Sequence, residues 1–212
     1  GFFGAAGSHA LEPFITEIAR DVIDPQTKVS ILERGRARSL VNAASTSAKK
    51  NLLSKKTLTL GALGSGSDYS PFFQHLGIPS LNLGFGGENE GGEYHSIYDT
   101  YDDYKRFKDP KFEYGVALAK AAGRSTMRMS QASLLPYDFR SLQKTISGYA
   151  KELTDLLDQM RESTSVENQM ISEKYYTLAA DPTETYFPPK PKKEVPYLNF
   201  SELQNAVTRL QK

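Results

Sequence analysis

The sequence of 212 residues contains no cysteine and no tryptophan. Without cysteine there are no disulfide bonds, thiolate zinc sites or cysteine nucleophiles, so any bound metal would need imidazole and carboxylate ligands. The chain also lacks an apolar run of about 20 residues, the length that a membrane-spanning helix requires. We therefore expect any membrane anchor of the protein to lie upstream of Gly1.

An excess of either charge is also missing. Lys and Arg total 26 and Asp and Glu total 25, which gives a formal net charge of +1. Because this balance provides no electrostatic footprint for phosphate groups, we expect no nucleic-acid partner. With 39% hydrophobic residues, the chain is long enough to bury a core and to form one large or two small globular domains.

Helical periodicity marks the beginning of the chain. Apolar residues recur at helical spacing over residues 11–23, and Ser8 precedes them as a candidate helix cap. Residues 26–66 are rich in Lys, Arg, Ser and Gly, with only weak apolar runs, and predict mostly connecting loop. The helix over residues 11–23 is expected to pack on a sheet.

A helix followed by a strand is predicted in the next part of the chain. Residues 69–76 have helical spacing and end at Gly77, and residues 78–85 form an apolar run that suits a buried strand. A glycine-rich, acidic loop over residues 84–92 follows. The order of these elements predicts the α/β class, in which loops beyond strand ends collect functional residues.

The boundary between two domains is predicted near Pro136. A helix is expected over residues 111–129, with an inward face formed by Phe112, Val116, Ala119 and Ala122. The proline interrupts this pattern before a second helical region begins. We therefore assign residues 1–132 to one domain and residues 133–212 to another.

The second domain is predicted to be helical. Apolar residues recur at nearly heptad spacing over residues 142–160, which indicates a helix that needs a helical partner. The proline-rich stretch 182–197 predicts a semi-rigid linker, and residues 200–210 resume an amphipathic helix. Because the sequence begins without methionine and ends in a periodic helix, we expect it to be a fragment of a longer protein.

Three histidines are the candidate metal ligands, namely His9, His75 and His95. His9 and His75 lie near the ends of predicted helices, where an imidazole is favourable without any function. His95 follows the glycine-rich loop, and the neighbouring Tyr94, Tyr98 and Asp99 are candidates to orient its ring. However, a zinc site needs three or four ligands, and no spaced histidine cluster supplies them.

Other motifs point to no specific chemistry. Residues 64–68 read G-S-G-S-D, which lacks the lysine of a phosphate-binding loop and does not match the elbow of serine hydrolases. This segment is more simply a turn with a helix cap. Glu88, Glu90 and Glu93 are candidate general bases, but acidic residues in a glycine-rich loop are more often only solvated.

A family resemblance adds what periodicity does not. The segments L-G-S-G-S-D-Y over residues 63–69, F-F-Q-H-L-G-I-P over 72–79, Y-H-S-I-Y-D-T-Y over 94–101 and L-P-Y-D over 135–138 follow one another in the order and spacing of the glutamate carboxypeptidase II and transferrin receptor family. The chain resembles that family strongly from about residue 63 to 160 and only weakly before.

The resemblance implies a two-zinc exopeptidase of the carboxypeptidase or aminopeptidase type. His95 corresponds to the last zinc-binding histidine, while the other ligands of the two zinc ions and the general base are expected upstream of Gly1. Candidate substrate-binding residues are Tyr94, Gly66, Ser67 and Asn82. The implied fold is part of a mixed-sheet α/β peptidase domain followed by part of a helical dimerisation domain. We therefore expect a peptide substrate, a homodimer and a site that this chain alone leaves incomplete and inactive.

Specificity is expected to differ from that of the glutamate-specific relatives, which place an Asn in the turn and two Arg on the strand. Ser67, Asn82 and Gly84 stand at those positions here. Loss of two guanidinium groups removes a bidentate clamp for a carboxylate, so no strong acidic preference is expected.

A non-catalytic function is the alternative. The transferrin receptor branch has the fold without peptidase activity and lacks the zinc-binding histidine, so the chain could also belong to a receptor or trafficking scaffold. The retained His95 favours the peptidase branch. In either case the resemblance implies a membrane-anchored protein whose domain lies outside the cytoplasm or in the vacuole.

Overall fold

The computed structural model describes residues 1–88 and 91–210. These residues form two compact units, Gly1–Leu142 and Gln143–Lys212. The domain boundary that we place between residues 132 and 133 stays a prediction.

A small antiparallel sheet lies in the first unit. Strand β1 (Phe2–Gly7) pairs with β2 (Leu81–Gly86), so that Phe3 lies opposite Phe85. In the described part of the chain these two strands are the whole sheet, and the architecture is mixed α/β but mostly helical. The strand predicted over residues 78–85 is confirmed. Strand β1 was missed because its sequence, F-F-G-A-A-G, contains no β-branched residue and three residues of low strand propensity at its centre.

The core of the first unit forms around helix α1. A 3₁₀ turn (His9–Leu11) leads into α1 (Glu12–Asp21), which confirms the predicted helix. Ile15, Ile18 and Ala19 are completely buried and pack with Phe3 of β1. Ser8 precedes the turn but does not cap it with its side chain. Its hydroxyl instead accepts a hydrogen bond from the Ser80 N–H at 3.1 Å, which links α1 to the start of β2.

Two helices occupy the segment predicted to be mostly loop, so that prediction is wrong. Helix α2 (Ile31–Val41) begins with a capping box, in which the Glu33 N–H donates to the Ser30 hydroxyl and Glu33 accepts from the Ser30 N–H. Helix α3 (Thr46–Ser54) is capped by Ser45. The sequence S-x-x-E was the available signal for α2. Weak amphipathicity hid both helices, because only Ile31 and Leu32 of α2 are buried in the core and α3 has no buried residue.

Short helical turns precede and follow β2 in the sequence. The predicted helix over residues 69–76 is reduced to a π-helical turn (Pro71–His75), after which Gly77 has a positive φ of 67°. A single turn, α4 (Tyr101–Asp103), leads into a second π-helical turn (Tyr104–Lys108). The loop that carries His95 lies in the sequence between β2 and α4.

Helix α5 (Glu113–Gln131) confirms the helix predicted over residues 111–129, but its buried face differs from the prediction. Ala117 and Ala121 are buried, whereas the expected inward residue Val116 is 51% exposed. Small residues form the contact, so the largest apolar side chains did not mark the buried face. After α5, the Asp138 N–H donates to the Ala10 carbonyl at 2.8 Å and returns the chain to α1.

The second unit contains most of a long helix and two shorter ones. Helix α6 (Phe139–Ser172) confirms the helix predicted from the heptad pattern over residues 142–160. Helix α7 (Tyr175–Ala179) follows it, and α8 (Ser201–Arg209) confirms the predicted final helix. The side-chain amide of Asn168 on α6 exchanges two hydrogen bonds of 2.8 Å with the backbone of Lys192, which lies between α7 and α8. None of the helices formed by the described residues combines the length and hydrophobicity that crossing a membrane requires.

Candidate functional site

His95 lies in a tight turn after the glycine-rich loop. The Ser96 N–H donates to the Glu93 carbonyl at 2.8 Å, and the Ser96 hydroxyl donates to the same oxygen at 2.6 Å. This bond encloses Tyr94 and His95 as the central residues of a four-residue turn. His95 has a φ of 61°, in the left-handed region that favours glycine at the third position of such turns.

The ring of His95 is exposed and contacts one neighbour. It stacks on Tyr94 with 3.9 Å between ring centroids and an interplanar angle of 23°. The expected orientation of the ring by Tyr98 and Asp99 is not observed, because no hydrogen bond or ring contact of the described residues joins either side chain to it. Of the three proposed neighbours, therefore, only Tyr94 orients the imidazole.

An exposed cluster of charges fastens the turn to the following π-helical turn. The Lys108 ammonium pairs with the Glu93 carboxylate and lies 3.4 Å from the Asp103 carboxylate. The Lys108 hydrogen bond is the largest of the effects that lower the pKa of Glu93 from 4.5 to about 2. Glu93 is therefore a fully ionised anchor at neutral pH, which makes it a poor general base.

The second candidate acid, Glu88, is hydrogen-bonded rather than only solvated. Glu88 accepts a hydrogen bond from Arg34 at 2.6 Å. Glu90 lies outside the described residues.

The candidate substrate residues lie on two other segments. Gly66 has a φ of 88° in the turn before the first π-helical turn, and the neighbouring Ser67 is exposed. Asn82 lies on β2 opposite Ala6, on the sheet face that does not pack on the core. A shallow hollow of about 400 Å³ on the sheet is lined by residues 4–6 and 82–86, none of which is charged.

The described contacts do not bring these residues into one site. No hydrogen bond within the described part joins Ser67, Asn82 and His95, and that part contains no group of three His, Asp or Glu side chains able to hold a metal ion. The assignments of His95 as a ligand and of Tyr94, Gly66, Ser67 and Asn82 to substrate binding therefore stay predictions.

A buried ionic network was missed by sequence reasoning. Asp24 is 1% exposed and accepts bonds from the Arg34 guanidinium at 2.8 and 2.9 Å. Burial alone would raise the pKa of Asp24, but hydrogen bonds from Thr27, Arg34 and Gln26 outweigh it and lower the pKa. Asp24 precedes a proline, and such an aspartate commonly accepts hydrogen bonds from the next residues of a turn, which was the local signal available in the sequence.

Arg34 connects this network to two other elements. Its guanidinium donates to the Tyr114 hydroxyl of α5 at 2.7 Å and to Glu88, which follows β2. The segment after the strand is thereby bound to α2. These bonds connect the beginning of the glycine-rich loop to α2 and α5.

Known proteins similar to this chain are peptidases by name. A probable glutamate carboxypeptidase of Arabidopsis thaliana, LAMP1, is 28% identical over 152 residues, which cover 71% of this chain and 20% of that protein. The aminopeptidase NAALADL1 of Mus musculus is 34% identical over 120 residues, 54% of this chain and 15% of that protein. A probable glutamate carboxypeptidase of Zea mays, VP8, is 28% identical over 156 residues, 74% of this chain and 20% of that protein.

These matches cover only a small part of each relative. The chain spans no more than about a fifth of the length of these relatives, and no family model matches it. The names of these relatives support the resemblance of the chain to the glutamate carboxypeptidase II and transferrin receptor-like peptidase family.

Proposed function

We propose that this chain is part of a zinc-dependent exopeptidase that hydrolyses peptides, with His95 as a ligand of one of two zinc ions. The observation that carries the proposal is the conformation of His95. Its left-handed backbone costs about 1–2 kcal/mol relative to an ordinary conformation, and glycine would avoid that cost. Since the exposed side chain gains nothing from burial, a strained histidine at this position favours a functional role.

The surroundings of His95 suit a metal ligand. Neither ring nitrogen of His95 forms a hydrogen bond with the described residues, and Tyr94 covers one face of the ring. The bonds of Ser96 and the Lys108–Glu93 pair hold the backbone on both sides of the turn. An imidazole on such a restrained turn has a donor atom available for Zn²⁺, which binds histidine readily.

The remaining parts of the proposed site lie in sequence upstream of this chain. In this proposal those residues supply the other zinc ligands and a Glu that acts as general base. Zinc bound there would act as a Lewis acid and lower the pKa of a coordinated water toward neutrality. Tyr94 would line the substrate site beside His95. The second unit would form part of the helical domain that makes a homodimer, and an upstream anchor would attach the protein to a membrane.

The zinc assignment is tested in a full-length protein that contains this chain. His95→Ala should reduce bound zinc, measured by elemental analysis, and peptidase activity together. His75→Ala, which removes another exposed imidazole, is the matched control and should change neither. The 212-residue chain alone should be inactive because one imidazole does not retain two zinc ions.

Either of two results would contradict this assignment. Zinc content that stays unchanged in the His95→Ala protein would show that His95 is not a ligand. A wild-type full-length protein that contains no zinc and cleaves no peptide would favour the receptor or scaffold function instead.

A second prediction concerns substrate choice. We propose that Asn82 and Gly84 border the substrate, and the hollow beside them contains no charged side chain. Peptides with acidic and neutral residues at this subsite should therefore be cleaved by the full-length enzyme at comparable rates. The double variant Asn82→Arg and Gly84→Arg should gain an acidic preference of about tenfold or more. A Cβ at Gly84 meets no atom within 4 Å, so the strand can accept the second substitution. A strong acidic preference of the wild type would contradict the proposed subsite.

A further inference from the structure

The nearly neutral chain has a strongly basic segment. Between residues 26 and 66, the only acidic residue is Glu33, whereas the basic residues are Lys28, Arg34, Arg36, Arg38, Lys49, Lys50, Lys55 and Lys56. This segment forms α2, α3 and the connections around them. The net charge of +1 for the whole chain therefore conceals a local positive surface on the first unit.

Part of this surface is concave. A hollow of about 660 Å³ is bordered by four basic side chains, Arg20, Lys28, Arg36 and Lys56, and by the single acid Glu33. The carboxylate of Glu33 is engaged in the capping box of α2, where it faces the Ser30 N–H. It therefore neutralises the N-terminus of that helix rather than the surrounding cations.

Three of the four cations have no acidic partner. In the part of the chain that the structure describes, Lys28, Arg36 and Lys56 take part in no ion pair, whereas Arg20 pairs with Glu17 on the outer side of α1. Unpaired cations beside a concave surface attract a complementary anionic group. The charge of the hollow is thus available for a partner.

Exposed aliphatic side chains border the same hollow. Ile23 is 55% exposed, Val29 41% and Leu53 64%, although all three belong to a unit with a well-buried core. Apolar side chains grouped with cations in a concave surface are typical of a protein interaction site. The hollow therefore provides both an electrostatic and an apolar contact.

We propose that this basic hollow binds an acidic protein segment that inserts an aliphatic side chain among Ile23, Val29 and Leu53. Its concave shape fits a protruding peptide side chain better than a flat membrane surface. No aromatic residue borders it, so stacking with nucleic-acid bases is not provided for. The surface contains neither His95 nor the residues proposed to contact substrate, and the interaction does not depend on the proposed peptidase activity.

The test uses the complete chain and a fluorescein-labelled peptide of about twelve residues that alternates Glu and Leu, with binding measured by fluorescence anisotropy. Arg36→Glu combined with Lys56→Glu should weaken binding about tenfold or more, because two attractive contacts become repulsive. Lys49→Glu combined with Lys50→Glu makes the same charge change on exposed residues that do not border the hollow. That control should change binding by less than about threefold.

The apolar contact is tested in the same assay. Leu53→Ser should weaken binding about fivefold, whereas Val41→Ser, which alters an exposed aliphatic residue away from the hollow, should have no effect. A peptide with Ser in place of Leu should bind the wild type and Leu53→Ser equally. Circular dichroism must show that all variants are folded.

Three results would overturn the proposal. The Glu-Leu peptide could fail to bind, or the two charge-reversal variants could lose binding equally, which would indicate diffuse attraction only. Stronger binding to phosphatidylserine vesicles than to the peptide, sensitive to Arg36 and Lys56, would assign the surface to a membrane instead.

Discussion

Helix α1 and the turn that carries His95 show two different reasons for the presence of a large side chain. Ile15 and Ile18 of α1 are 0% exposed, whereas Tyr94 and Ile97 near the turn are 76% and 85% exposed. Packing alone accounts for the α1 residues. Packing does not account for Tyr94 and Ile97 near the turn. We therefore infer that these side chains serve contacts or chemistry outside the core.

The two regions also contain different kinds of ion pair. Asp24 and Arg34 are largely buried and share bonds with several elements, whereas Glu93 and Lys108 are partly open to solvent. Removal of one partner from a buried pair leaves an uncompensated charge in a poorly solvated place. The exposed pair loses less because water replaces the missing partner.

Removal of the same aliphatic side chain from each region should give the largest contrast. Ile18→Ala should lower the free energy of unfolding by about 4 kcal/mol, because it leaves a cavity in a fully buried site. Ile97→Ala should change it by less than about 0.5 kcal/mol. Urea denaturation of both variants measures the contrast. Equal losses would show that residue 97 is packed rather than exposed.

Removal of the cation from each ion pair should give the next contrast. Arg34→Met should cost about 3 kcal/mol, at the low end for a buried pair because Asp24 keeps bonds from Gln26 and Thr27. The lowered pKa of Asp24 stabilises the fold above the unfolded value of 3.8, and this stabilisation is lost as pH falls through the folded pKa. Unfolding free energy should therefore fall below about pH 4, and less steeply in Arg34→Met.

The exposed pair provides the other half of this comparison. Lys108→Met should raise the pKa of Glu93 from about 2 toward 4.5, because the hydrogen bond from Lys108 is the main cause of the shift. Carboxyl chemical shifts followed by NMR during an acid titration measure this change. An unchanged Glu93 pKa would mean that the turn is not fastened to residue 108.

The smallest effect is expected at His95 itself. His95→Gly should be more stable than His95→Ala by about 1 kcal/mol, since glycine adopts the left-handed conformation without strain. Thermal unfolding of the two variants provides the measurement, and neither variant retains the imidazole. Greater stability of His95→Ala would contradict the left-handed turn.

Local patterns predicted much of the fold. The periodicity of α1 and α6 was sufficient because one face of each helix collects apolar residues. The buried face of α5 was assigned wrongly because Ala117 and Ala121, rather than its larger residues, pack inward. The size of the side chains alone does not predict which face of a helix packs closely against another element.

Within the candidate site, the family motif identified His95 but not what holds it. The Tyr94 stack involves adjacent residues, so the motif at least contained the partner. The Lys108 contact joins residues 15 positions apart through two helical turns, and Arg34 reaches Glu88 across 54 positions. Sequence patterns over a few residues contain no information about such pairings.

Motif order and helical spacing are local properties of the chain, and they were enough to indicate the family resemblance, the helices α1, α5, α6 and α8, and His95 as a candidate ligand. Tertiary structure alone decided that β1 pairs with β2, that Asp24 and Arg34 form a buried pair, and that His95 occupies a left-handed turn. These features depend on which distant groups exclude water from one another and on how the backbone must bend to let them meet.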